Sequence, residues 1–112
     1  MAEANQELVD LAKKIPLTQG LTHVQAAYLE IAQPDISSGI ALCVQAAVQR
    51  IVVVPYFLSQ GMHVQAHIPE QVEAGKQKYP KISFVLTKPV GSSPRMVDLV
   101  GALLGEVLNK TP

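Results

Sequence analysis

Residues 51–54 read Ile-Val-Val-Val, an unbroken β-branched run with no alternation of apolar and polar positions. A strand with one wet face alternates, and a strand covered on both faces does not, so this run predicts a parallel sheet held between helices. The flanking segments supply the helices. Upstream, Ile36, Ile40, Val44, Ala47 and Val48 repeat with helical period from the turn at Pro34 and Asp35 as far as Gln49. Downstream, Ile68, Val72, Gly75 and Tyr79 line one side of a helix over 69–79, with Pro69 in its first turn.

The same reading extends to both ends. Leu8, Leu11, Ala12 and Ile15 share one face of a helix over 5–15, which Pro16 stops. A strand is expected over roughly 23–29, where Val24 and Tyr28 lie between Gly20 and Pro34, and another over 82–87, ISFVLT. The last helix takes Ser93 as N-cap and Pro94 as its first residue, with Met96, Val100, Leu103, Leu104 and Val107 facing inward. Gly101 and Gly105, one turn apart, permit close approach to the sheet. The order is αβαβαβα, which implies an α/β three-layer sandwich with a parallel sheet and right-handed crossovers.

With 112 residues, 48% of them hydrophobic, the chain is expected to form a single domain, 1–112, with a real core. Formal net charge is +0, so no basic surface for nucleic acid is expected. Cys43 is the only cysteine and cannot close an internal disulfide, which fits a reducing cytoplasm. The first residues, MAEANQELVDLAKK, contain no apolar signal core. The apolar window 39–58 is broken by Gln45, Gln49 and Arg50 and stopped by Pro55, so it reads as a helix followed by a strand, not as a membrane span.

Open parallel sheets bind ligands beyond the carboxyl ends of their strands. Glu30 leaves the first expected strand, the loop carrying His63 leaves the second, and TKPVGSSPR leaves the third, so Glu30 and His63 are expected to converge at one edge. A carboxylate and an imidazole there can hold a divalent metal or exchange protons near neutral pH. The alternative for His63 is an exposed or capping residue. His67 is four residues further on, but a helix starting near Pro69 leaves the two outside a common turn, so a shared metal is not expected. His23, at the start of its strand, is expected at the opposite edge and on the surface. Lys88, Ser92, Ser93 and Arg95 cluster at a helix start, which reads either as an ordinary cap or as a site for carboxylate or phosphate. No Walker loop, GxGxxG, CxxC or GxSxG pattern occurs.

The stretches YLEIAQPDI (28–36), RIVVVPYFLSQGMHV (50–64) with the IPE that follows, and KPVGSSPRMVDLV (88–100) resemble the short-form sirohydrochlorin cobaltochelatases and their ferrochelatase relatives. The resemblance implies a chelatase-like half-domain. It also implies ATP-independent insertion of Co²⁺ or Fe²⁺ into sirohydrochlorin, in cobalamin or sirohaem synthesis, with no cofactor besides the metal substrate. The histidine of G-x-H-V, which maps to His63, then binds metal and removes pyrrole protons, and Glu30 assists in the same cleft. Lys88, Ser92, Ser93 and Arg95 are assigned to the carboxylates of the tetrapyrrole. A cytoplasmic homodimer is implied as well.

Two departures set this chain apart. Members of that family open with an apolar strand ending in Gly-His-Gly-Ser, whose histidine is the second catalytic one, and this chain starts at about that junction. The strand is central to the family's sheet, so its absence is expected to remove core and hydrogen-bond partners together. His67 stands where the family usually has Asp. The alternative function is a non-catalytic remnant that binds tetrapyrrole or metal without turnover.

Overall fold

The computed structural model describes residues 2–18, 20–29, 32–58 and 62–109. Among them run helix α1 (Ala2–Lys14), helix α2 (Ile36–Gln45), strand β1 (Arg50–Val53), helix α3 (Met62–Lys78), strand β2 (Ser83–Leu86), a 3-10 turn (Val90–Ser92) and helix α4 (Arg95–Leu108). β1 and β2 pair in parallel, with Ile51 opposite Phe84 and Val53 opposite Leu86. The α/β class and its parallel sheet are those expected.

The core forms where one face of this sheet meets α2 and α3. Ile51 and Phe84 from the strands pack with Ile40 of α2 and with Ile68 and Val72 of α3, and Leu29, Val53, Tyr79 and Leu86 close around them. Gly75 lets α3 approach the sheet: a Cβ there would stand 3.0 Å from the Phe84 ring. The helical stripe Ile68, Val72, Gly75 and Tyr79 is therefore the buried face, as its spacing predicts.

Four expectations are corrected. The segment 23–29 joins no strand. Tyr28 makes an isolated parallel bridge with Asp35, and its N–H donates to the Pro34 carbonyl at 2.9 Å. HVQAAYL has one β-branched residue, and an extended segment becomes a strand only by pairing with a neighbour. It lies instead against α2, where Gly39 leaves room for Ala27. The order of described elements is thus ααβαβα with a 3-10 turn before the last helix.

Second, α2 ends at Gln45, four residues early, because Ala47 adopts a left-handed backbone with φ 62°. Third, α3 starts at Met62 and runs through Pro69. A proline inside a helix costs about 3 kcal/mol or more, and the flanking Ile68 and Val72, 5% and 4% exposed, offset it by burial. Fourth, the third layer of the sandwich is not closed. Val52 and Val54, on the sheet's other face, are 49% and 56% exposed. Val100, Leu103, Leu104 and Val107, expected to face inward, are exposed too, as are Val97, Leu99 and Leu108. α4 touches the 3-10 turn that precedes it, and a two-stranded sheet offers too little apolar surface for two helical layers.

Asp35 caps α2 by accepting the Ser38 N–H at 2.8 Å. That backbone hydrogen bond, joined by one from the Ser38 hydroxyl, holds the Asp35 carboxyl below its ordinary pKa. A lowered folded-state pKa means that the stabilisation is full above the unfolded value and is lost as pH falls through the folded one. Asp35→Ala is expected to lower the thermal midpoint at neutral pH, with the gap from the parent closing on acidification. Melts followed by circular dichroism across that range check it.

Candidate metal and tetrapyrrole site

The parallel ladder does not stop where the strands end. Beyond them the Thr87 N–H donates to the Val53 carbonyl at 3.0 Å, Val90 to Pro55 at 3.0 Å and Gly91 to Phe57 at 2.8 Å. The loop leaving β1 is thereby tied, residue by residue, to the loop leaving β2. Contact is closest at Gly91. A Cβ there would overlap the Leu58 carbonyl and stand 2.7 Å from the Leu58 Cα, so no side chain fits. Sequence reading missed this residue. Its signal was a single glycine between Pro-Val and Ser-Ser, in a loop beside another loop.

The two tied loops lead on to two helix starts, those of α3 and α4. The second is capped locally. The Arg95 N–H donates to the Ser93 hydroxyl at 3.2 Å, and Met96 and Val97 donate to the carbonyls of Ser93 and Pro94. The Ser93 hydroxyl thus takes up the first N–H of α4, whose N-cap position falls on Pro94, one residue later than the sequence predicts. The Ser92 hydroxyl donates to the Pro89 carbonyl at 2.9 Å. Lys88, Ser92 and Arg95 are exposed and Ser93 half-buried, so both cations are open to an anion at this edge.

The first helix start belongs to α3. His63 falls in its first turn; the His63 side chain and the whole of Glu30 lie outside the described residues. His67 is in the next turn and half-buried, and His23 is exposed as expected. His63 and His67 share one helix, which corrects the expectation that a helix starting near Pro69 separates them. Among the described residues no three His, Cys, Asp or Glu side chains converge. Burial pushes the Cys43 thiol above its ordinary pKa, and it packs against the core from α2. It stays a protonated apolar neighbour at neutral pH.

The family model named CbiX matches residues 1–107. The chain belongs to the CbiX family. Among its relatives, the chloroplastic sirohydrochlorin ferrochelatase of Arabidopsis thaliana is 33% identical over 88% of this chain and 44% of its own length. A sirohydrochlorin cobaltochelatase of Priestia megaterium is 34% identical over 74% of this chain and 27% of its own. The chain therefore spans less than half the length of these two relatives. The sirohydrochlorin chelatase SirB of Bacillus subtilis subspecies spizizenii, solved in complex with cobalt, superimposes with a TM-score of 0.79 at 25% identity, over 96% of this chain and 46% of that one. The α/β fold is thus that of CbiX and SirB chelatases. No helix among the described residues is long and apolar enough to cross a membrane.

Gly91→Ala is expected to cost about 1–3 kcal/mol, the usual range for forcing atoms into filled space, because the Leu58 backbone would have to move. The midpoint of urea denaturation, compared with the parent, reads this directly.

Proposed function

We propose that this CbiX-family chain inserts a divalent metal, Co²⁺ or Fe²⁺, into sirohydrochlorin without ATP. Family membership over residues 1–107 supports the reaction class. The observation that supports the reading is the laced carboxyl edge, where the loop leaving β1, which leads on to α3 and His63, is tied at Pro55 and Phe57 to the loop bearing Lys88, Ser92, Ser93 and Arg95.

The chemistry follows from the mass balance. Metal insertion exchanges one M²⁺ for two pyrrole N–H protons, so the site must deliver a cation and accept protons. His63 as neutral imidazole does both in turn, ligating the ion and then taking a proton as the ion passes to the macrocycle nitrogens. Glu30 holds the dication by charge and accepts the second proton directly or through water. Lys88 and Arg95 pair with the peripheral carboxylates, and the helix start of α4 adds partial positive charge. Sirohydrochlorin and the metal are the two small partners in this reading.

The unit proposed is a homodimer. The chain exposes 8601 Å² and has a radius of gyration of 16.3 Å. A compact monomer of its 12.0 kDa mass exposes about 6,000 Å² and has a radius near 13 Å. The surplus of roughly 2,600 Å² is what one copy contributes to a large obligate interface. The apolar face of α4 and the bare side of β1 are the surfaces on which a second copy fits.

Insertion of Co²⁺, followed by the absorption change of the macrocycle, is expected to exceed a protein-free control, and His63→Ala to lower that rate by about 10²–10⁴-fold. Lys88→Ala and Arg95→Ala should raise KM for the tetrapyrrole more than they lower kcat. Tetrapyrrole binding with no gain in rate would instead favour the non-catalytic remnant. Sedimentation equilibrium should return twice the chain mass, and Leu104→Glu should return the single chain. A parent that stays monomeric at micromolar concentration removes the dimer.

A further inference from the structure

We infer that His67 is a second imidazole ligand for the divalent metal, chelating it together with His63. The inference rests on the reading of His63 as a metal ligand and adds a residue to it. The deciding observation is where α3 begins. Had the helix opened near Pro69, HVQAH would be loop and its two histidines unrelated; it opens at Met62 and continues through Pro69, so 63 and 67 are one turn apart on the same side.

Residues four apart on a helix have Cβ atoms about 6 Å apart. Two imidazoles at that spacing can converge on a single ion, which is how paired histidines on one helix hold zinc. The position of His67 fits this. It is half-buried and precedes the buried Ile68 in sequence. Partial burial limits water around a ligand and strengthens a metal–nitrogen bond. The first turn of α3 contains no acidic residue. The positive end of the helix dipole works against a cation there, so α3 itself can contribute to holding the ion only through ligand bonds from neutral imidazoles. The loop leaving β1, which precedes this turn in the chain, is tied at Pro55 and Phe57 to the loop carrying the cations assigned to the tetrapyrrole.

The test uses the purified full chain and Co²⁺ alone, with binding read by calorimetry and by the d–d absorption of the bound ion. Outer partners that only orient a ligand are worth about 10–100-fold in metal affinity, so His67→Ala is expected to weaken Co²⁺ binding at least tenfold and to change the d–d spectrum. His67→Asn, polar and similar in size but without a ring nitrogen to ligate, should do the same while the circular dichroism stays that of the parent. Because either loss breaks one chelate, the His63→Ala/His67→Ala double variant should bind little worse than the single ones. Unchanged affinity and spectrum in both His67 variants would overturn the inference. If His63→Ala alone loses binding and insertion, the proposed function stands and the role of His67 falls. If the His67 variants weaken Co²⁺ binding while the parent inserts no metal, the ligand pair stands and the enzymatic reading falls.

Discussion

Three backbone hydrogen bonds beyond the ends of the strands organise this protein more than the sheet does. β1 and β2 are four residues each, too short to orient helices on their own. Their ladder is prolonged by Thr87 to Val53, Val90 to Pro55 and Gly91 to Phe57, and the prolongation reaches the loops from which α3 and α4 start. A parallel pair supplies evenly spaced donors and acceptors, so it can continue into irregular chain wherever side chains allow. They allow it here because Gly91 has none. That single close approach holds residues 55–58 against residues 90–91, just ahead of α4.

The uneven burial of the chain has the same origin. A sheet two strands wide presents a narrow apolar strip on each face, and α2 and α3 together fill the strip carrying Ile51, Val53, Phe84 and Leu86. Among the described residues nothing comparable covers the other side, where Val52 and Val54 are exposed, and α4 extends from its 3-10 turn with its leucines and valines exposed. Exposed apolar patches beyond a few hundred Å² mark interaction surfaces in soluble proteins. That is why the elongated shape and the surplus surface belong in one account with the proposed dimer.

What could be read from the residues, and what could not, divides along the range of the interactions. Ile68, Val72, Gly75 and Tyr79 were legible as a buried stripe because helical period is local, and Ser93-Pro94 as a helix start because capping chemistry is local. The strand at 23–29 was not, since being a strand depends on a neighbour that no local pattern reports. Ile-Val-Val-Val was read as doubly covered, and one of its faces is open; β-branched composition states a tolerance for burial on both sides, not the presence of a partner. Pro69 was read as a boundary on its local cost, and the burial on either side of it outweighed that cost. At the candidate site, the Ser93-Pro94 helix start was visible to within one residue. The need for glycine at 91 was not, because it is set by a loop more than thirty residues away in the chain.

The donor set constrains the metal further than the fold does. Cys43 is removed from any soft-ligand role by its place against the core and by a thiol pKa raised through desolvation. The proposed donors are imidazole nitrogen and carboxylate oxygen, a borderline set that takes Fe²⁺, Co²⁺ and Ni²⁺ in rising order of affinity without excluding any. A site that must release its ion to a macrocycle gains nothing from tight, four-ligand closure; a low-coordinate, nitrogen-based perch binds the ion and still leaves positions open for the incoming pyrrole nitrogens. One or two imidazoles on the first turns of α3 meet that requirement, and discrimination between metals then falls to their supply in the cell rather than to the protein.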